Sequence, residues 1–575
     1  MANMRMLIKI VFVIFIANGI VCLGSDNCFD CFKEKDENIT AESLVNNNWY
    51  NAKKKNLVLK IFVKDNGIFT SKDNKYKISI EFDEKGNPKI AYQNKKENEL
   101  NLRDKKYAFF EIKTNINKTV YLYCSNVESS GNNEGIFVKK DHISISVIAC
   151  DTEKVTDMNN MFSMCSSLTK LDLKNFNTKN VTKMNSMFYG CCSLTKLDLK
   201  NFNASKVEDM KYMFSFCSNL TEIDLKNFNT ENVTNMESMF SFCSSLEKLK
   251  FEENFNTEKV KNMHSMFSEC KSLKELKIEN FDTKNVLNMG CMFELCCSLT
   301  KLDLENFNTT NVTNMAYMFS ECSSLTELNF GENFNTSNVT DMNSMYYVCS
   351  KLKEINFGKN FNTTNVTDMN RMFSECKSLT ELKLENFDTK NVLNMWCMFD
   401  LCCSLTKLDL ENFNTTNVTI MTYMFSGCSS LTELDLKNFD TTKVTYMHSM
   451  FSNCSSLKEL NLQSFNTKNV MYMGYMFSFC RSLTKLDLKN FNTTNVKDMS
   501  YMFFMCSSLK ELDIKNFNTT NVTDMACMFF KCSNLTDLKF CDNFNTKKVT
   551  DKGLMFSGCD KLSDVIKNKI LNKNK

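Results

Sequence analysis

A Met-Phe-x-x-Cys motif recurs sixteen times in this chain of 575 residues, first at Met161-Phe162 with Cys165 and last at Met555-Phe556 with Cys559. One copy reads Met345-Tyr346, and successive cysteines of the motif are 26 or 27 residues apart. A fixed period of this length confines the chain to an array of similar units, because one unit cannot bury its own apolar side and must lean on the next. The 27-residue units share one cause, an extra residue ahead of the Asn-Phe pair, as in Phe251-Glu252-Glu253-Asn254-Phe255 and Phe330-Gly331-Glu332-Asn333-Phe334. A position that absorbs an insertion reads as a loop.

The unit from Ser167 to Cys191 holds two periodicities. Leu171 and Leu173 alternate with Lys170, Asp172 and Lys174, the period of a short strand with one face buried. Val181, Met184, Met187, Phe188 and Cys191 then recur every three or four residues, the spacing of one helix face, with Asn177 or Thr178 as N-cap and Phe176 at the corner. The expected fold is a leucine-rich-repeat-like solenoid, a short strand plus a short helix per coil, with about 16 coils. This accounts for a skewed composition of 37 Met, 49 Phe and 28 Cys against one Pro. Thirty-one of the 37 Met fall in the two helical columns, where thioethers packed on Phe rings fill a core and do not make a metal array.

Around the array the chain changes character. Residues 1–24 read as a signal peptide, with Arg5 and Lys9 ahead of an apolar Ile10–Ala17 core too short to span a bilayer. Residues 25–141 read as a small, mostly β domain capping the open edge of the solenoid, with strand-like runs at Leu57–Val63, Lys77–Phe82, Ala108–Ile112 and Val120–Tyr123. The solenoid takes 142–562, its first coil degenerate, with Ile145 and Val147 one period ahead of Leu171 and Leu173; 563–575 reads as a polar C-terminal cap. No later run reaches 18 apolar residues, so no integral membrane span is expected. Lys+Arg 70 against Asp+Glu 67 gives no bulk attraction to nucleic acid or to an anionic membrane.

The unit Met-Phe-x-x-Cys-Ser-Ser-Leu-Thr-x-Leu-Asp-Leu-x-Asn-Phe-Asn-Thr-x-Asn-Val-Thr-x-Met resembles the BspA-like leucine-rich-repeat surface proteins, in the roughly 26-residue form known from low-GC bacteria and mollicutes as a domain of unknown function. The resemblance spans about 142–562. It implies an exported protein at the cell surface or secreted, an adhesin or surface antigen in some members, with no enzymatic activity. The partner it implies is a protein or glycan on a host or neighbouring cell. The alternative is a structural component that self-associates in a surface layer or matrix.

For such a chain the residues offer one candidate binding face. Asp172, Asp198, Asp224, Asp303, Asp409, Asp435, Asp487 and Asp513 share the strand position between the two inward leucines and point to the open face of the sheet. Stacked carboxylates repel, and Lys250, Lys277, Lys383, Asn329, Asn356 and Asn461 interrupt the line, so a solvated charge-mixed face is the competing reading. The cysteine column could pair between adjacent coils, about 4.8 Å apart, or lie buried as free thiols, and we expect the latter. Cys192, Cys297, Cys403, Cys291, Cys397 and Cys527 stand outside the column on what reads as an exposed side, candidates for bonds between molecules. Cys28 and Cys31 form a Cys-x-x-Cys without a βαβ context, so a structural disulfide involving Cys28, Cys31 and Cys124 is expected over a redox pair. The three His are scattered at 142, 264 and 448, so neither a metal nor another cofactor is expected. No phosphate loop or nucleophile motif is present, and no enzyme is expected. The Asn-Val-Thr triplets at Asn180, Asn232, Asn311 and Asn521 are glycosylation sequons that also suit a turn.

Overall fold

Two residues per coil adopt a conformation that no helix allows, and the architecture follows from them. In the coil ending at Leu220, Tyr212 and Phe216 have φ of 57° and 60°, the left-handed region that L-residues avoid in helices. The computed structural model describes residues 156–571, apart from 165, 167, 174 and 175, together with the backbone of five earlier strands.

Those strands are β1 (Asn56–Thr70), β2 (Tyr76–Phe82), β3 (Pro88–Asn94), β4 (Glu111–Ser125) and β5 (Ile143–Ala149). They form one sheet in the order β3-β2-β1-β5-β6, with β4 also on β1, where β6 is Leu168–Asp172. All pairs are antiparallel except β5 with β6, which run parallel with Ile145 opposite Leu171, an offset of one repeat. Cys124 lies on β4 opposite Leu57, while its side chain, the signal peptide expected over residues 1–24, Cys28 and Cys31 fall outside the described residues.

From Asp157 onward the chain is a β-solenoid with little helix. Fifteen parallel bridges link one residue per coil, Asp157 to Lys183, Lys183 to Asp209, and so on to Asp551. Short strands stack beside this ladder: β7 (Glu222–Asp224) on β8 (Lys248–Lys250), β9 (Lys301–Leu304) on β10 (Glu327–Phe330), β11 (Glu381–Leu382) on β12 (Lys407–Leu408), and β13 (Glu511–Ile514) on β14 (Asp537–Phe540). Each pair is parallel and in register, with Leu302 on Leu328 and Leu512 on Leu538.

The helix expected in each coil is not there. In its place four tight turns follow one another: Met213 N–H to Met210 O, Ser215 to Tyr212, Cys217 to Phe214 and Leu220 to Cys217, at 3.1 to 3.2 Å. The intervening N–H groups of Met210, Tyr212, Phe214 and Phe216 leave the coil and bond Asn235, Glu237, Met239 and Ser241 of the next, at 2.8 to 3.0 Å. Every other donor thus serves the turn and every other one the stack, which satisfies the backbone without a helix. Turns closed three residues apart return side chains to one side with nearly helical spacing, so the period seen in sequence was real but its cause was not a helix. The one described α-helix, α1 (Asp564–Leu571), lies after the last coil and buries Ile570.

The core is a bundle of columns. Phe162, Phe188, Phe214, Phe240 and their successors to Phe556 stack with ring centroids 5.4 to 5.8 Å apart. That spacing exceeds the roughly 4.8 Å between coils, so the rings are offset, the arrangement their quadrupoles favour. The methionines of both columns and the column cysteines from Cys191 on are buried beside them. Each column thiol reaches back to the previous coil, Cys217 Sγ donating to Phe188 O at 3.1 Å and Cys402 to Phe373 O at 3.1 Å. From Cys217 to Cys559 these thiols are free, and burial pushes those of Cys376 and Cys480 up to about 12. A buried threonine column adds a second set of rungs: Thr441 Oγ1 donates to Asn466 O (2.9 Å) and accepts from Asn466 N–H (2.8 Å).

Candidate binding faces

The strand aspartates stand where a strand must end. Two inward leucines, such as Leu197 and Leu199, bury one side of the strand; the carboxylate between them then accepts the N–H two residues ahead and starts the turn to the Asn-Phe corner. Lys200 N–H bonds Asp198 Oδ1 at 3.1 Å, Lys226 bonds Asp224 at 3.1 Å, Glu305 bonds Asp303 at 3.0 Å, and Glu411 bonds Asp409 at 2.9 Å. The same bond joins Lys437 to Asp435, Lys489 to Asp487 and Lys515 to Asp513 at 3.0 to 3.1 Å. Asp198, Asp224, Asp303, Asp409, Asp435 and Asp487 are exposed and Asp513 is half-buried. Asp172 ends β6 opposite Ser146.

The register does not stack these carboxylates without relief. Asp224 faces Lys250, Asp303 faces Asn329 and Asp513 faces Lys539 on the adjacent coil. Lysines close on the carboxylates within a coil, Lys200 on Asp198 at 3.2 Å and Lys437 on Asp435 at 3.2 Å. Others cross between coils, Lys301 to Glu327 at 2.7 Å and Lys250 to Glu222. The backbone N–H of Lys437 and then its ammonium hold the Asp435 carboxyl below its ordinary range. Six of these aspartates form an exposed line, and one oxygen of each of the seven from Asp198 to Asp513 is committed to a turn.

The other long face is lined by the bridge ladder, and it uses the same device. Asp209, Asn235, Asn262, Asn288, Asn314, Asp341, Asp368 and Asn394 each accept the N–H two residues on, at 2.8 to 3.1 Å. Asp498, Asp524 and Asp551 do so again at 2.8 to 2.9 Å. Between them three consecutive coils carry Ile420, Tyr446 and Tyr472 instead. Sequence reading of single units missed this row; superposing the coils column by column exposes it. Near it Arg371 lies over the rings of Trp396 (4.3 Å) and Tyr347 (5.5 Å). Asp400, in a column filled mostly by serine, is buried there, and that burial raises its carboxyl from the ordinary 3.8 to about 7 against the pull of a Ser426 hydrogen bond.

The extra cysteines divide. Cys192, Cys297 and Cys403 are half-buried, as is Cys291, but Cys397 and Cys527 are only 6% and 7% exposed, so those two do not sit on an exposed side. They share the position before a Met-Phe pair with half-buried Cys291, but the preceding coil brings Arg371 to hydrogen-bond Cys397 and Tyr501 to bond Cys527. The sequon asparagines serve the stack: Asn232 Nδ2 donates to Ser205 O (2.8 Å), Asn311 to Lys284 O (2.8 Å) and Asn521 to Thr494 O (2.9 Å). Non-sequon asparagines such as Asn285 and Asn391 make the same bond, which gives the Asn column a structural reason. Among the described residues no cluster of His, Cys, Asp or Glu could hold a metal ion, and no helix is long and apolar enough to cross a membrane.

Fold and columns together define a repeat β-solenoid whose thiols and aromatic rings form its interior and whose two long faces are capped by side-chain turns. The chain belongs to the family described as "Mycoplasma protein of unknown function, DUF285", which matches residues 131–251, 245–356, 329–433, 402–510 and 448–569. Among solved structures it is similar to the functional domain of InlJ from Listeria monocytogenes, which includes a cysteine ladder, at 18% identity and a TM-score of 0.18. That match covers 60% of this chain and 64% of the other. No curated protein matches the chain.

Proposed function

We propose that this chain is an exported interaction protein of the BspA-like kind, secreted or held at the cell surface, which binds a protein or glycan of another cell and catalyses no reaction. The observation that supports this reading is the division of labour in each coil. Backbone and core columns hold the stack together, so residues on the two long faces are free to differ from coil to coil without disturbing the fold. Arrays of this kind offer extended surfaces rather than one enclosed centre. An array of about 16 coils, as the sixteen motifs imply, would carry several such surfaces side by side.

Binding of the full chain to intact cells or their extracellular matrix tests the proposal. Saturable binding displaced by unlabelled chain is expected. Binding that never saturates on any surface, with the chain instead sedimenting as large assemblies, would favour the structural, self-associating alternative.

A further inference from the structure

Resting on the reading of a surface interaction protein, we propose that the bridge face carries a binding site for a neutral glycan, centred on Trp396, Ile420, Tyr446 and Tyr472. The first ground is what three coils give up. At this position twelve other coils hold an Asp or Asn that accepts the N–H two residues on. The remaining exception, Lys183, is compensated, since Asn185 N–H bonds Asn159 Oδ1 at 3.0 Å. Ile420, Tyr446 and Tyr472 cannot accept for Thr422, His448 and Gly474, so a structural bond used elsewhere along the ladder is exchanged three times in succession for apolar surface. The strand row also departs on adjacent coils, at Lys250 and Lys277 and from Asn329 to Lys383, but there every replacement is polar; here all three are apolar or aromatic.

The second ground is shape. Asn394, Trp396, Ile420, Thr422 and Tyr446 line an open pocket of about 250 Å³. Tyr446 is 40% exposed and stacks on Tyr472 with centroids 5.6 Å apart and planes 3° from parallel. The pocket spans three coils, about 10 Å at the usual strand spacing, which suits one or two sugar rings.

The third ground is charge and backbone. None of the five lining residues is charged, and the Arg371 guanidinium beside them is already stacked on Trp396 and Tyr347. An anionic ligand finds no cation to pair with. An extended peptide would need an open strand edge to bond, but here Met395 N–H bonds Ile420 O, Met421 bonds Tyr446 O and Met447 bonds Tyr472 O, at 3.0 to 3.2 Å. What fits is a ligand with an apolar face for the rings and hydroxyls for the Asn394 amide, the Thr422 hydroxyl and the Tyr446 phenol, which is the chemistry of an uncharged pyranose.

The test uses the full chain on a printed array of neutral glycans built from hexose, N-acetylhexosamine and deoxyhexose, beside sulfated and sialylated glycans and a peptide array. The variant carries Ile420→Asn, Tyr446→Asn and Tyr472→Asn together, which restores the side chains of the other coils. Its thermal midpoint should equal or exceed the parent's, so lost binding cannot be blamed on misfolding. A Trp49→Phe background leaves Trp396 as the single tryptophan, and its emission should change saturably with the glycans that bind. At least a tenfold loss of neutral-glycan binding in the triple variant is expected. Binding only to charged glycans or only to peptides, no binding to any neutral glycan, or undiminished binding in the variant overturns the site. Cell binding reports separately: loss of glycan binding with cell binding retained supports the site while placing the cell contact elsewhere, and glycan binding without cell binding supports the site while refuting the broader reading.

Discussion

The strand face and the bridge face are built with one device and use it differently. On both, an Asp or Asn accepts the N–H two residues ahead and turns the chain. On the strand face the replacements, Lys250, Lys277, Lys383 and the asparagines among them, are all polar, on adjacent coils or not, and leave a mixed row of charges with ion pairs. On the bridge face the apolar replacements fall together at Ile420, Tyr446 and Tyr472. Polar-for-polar replacement keeps a surface solvated, whereas three successive apolar replacements expose a patch that a partner can cover.

The largest test of this contrast concerns the carboxylate buried under the bridge face. Asp400 holds its proton to about pH 7 when folded but ionises near 3.8 when the chain is unfolded. Its contribution to stability is therefore complete below pH 3.8 and lost as pH rises to 7, by at most about 4 kcal/mol at about 1.4 kcal/mol per unit. Asp400→Asn should flatten the pH dependence of the urea midpoint between pH 4 and 7 and leave it higher at pH 8. Asp435→Asn, on the strand face, should do neither; equal slopes for the two variants would dissolve the distinction between faces.

Next in size is a rung shared by both faces. Thr441→Val removes the buried hydroxyl that bonds the N–H and C=O of Asn466, an exposed residue in part-buried contact with it, at a cost of about 1 to 2 kcal/mol. If the midpoint in urea barely moves, the threonine column is not a structural ladder. Tyr346→Phe works in the opposite direction. Tyr346 sits in the Phe column between Phe319 and Phe373, each 5.5 Å away, and its buried hydroxyl has no partner. Removing that oxygen should stabilise the chain by about 1 to 2 kcal/mol, read as a raised thermal midpoint. The smallest effects compare the caps themselves. Asp435→Ala and Asp498→Ala should each cost about 1 kcal/mol, and a clearly larger loss at either would show that its face depends on the turn more than the other does.

Much of the fold was legible because the interior is repetitive. Leu197 and Leu199, the Phe and Met columns and the column cysteines from Cys191 on lie where their spacing places them, inside. The helix was not legible as an error, since i to i−3 turns and a helix return side chains at similar intervals. What separates them is the backbone of residues such as Tyr212 and Phe216, whose left-handed φ no sequence pattern announces because glycine takes the place only at Gly190, Gly427 and Gly558. Cys397 and Cys527 misled for another reason: they share the first left-handed position with half-buried Cys291, and what buries them is the preceding coil, where Arg371 hydrogen-bonds Cys397 and Tyr501 bonds Cys527. The aspartate row was found but its work in the turn was not, although an Asp or Asn preceding each corner was the available signal.

The column thiols carry one more consequence. In the closed stack each donates to a carbonyl of the coil before it, and from Cys217 to Cys506 burial raises the thiol's proton affinity and keeps it from attack. Opening a coil brings that thiol to its normal acidity in water, where alkylating agents and oxidants react with it. Modification then blocks reclosure, because the sulfur no longer fits its rung. Each coil therefore keeps a chemical record of its own opening, and the order in which cysteines between 217 and 559 become modified over hours would read out, position by position, where along its length the array breathes.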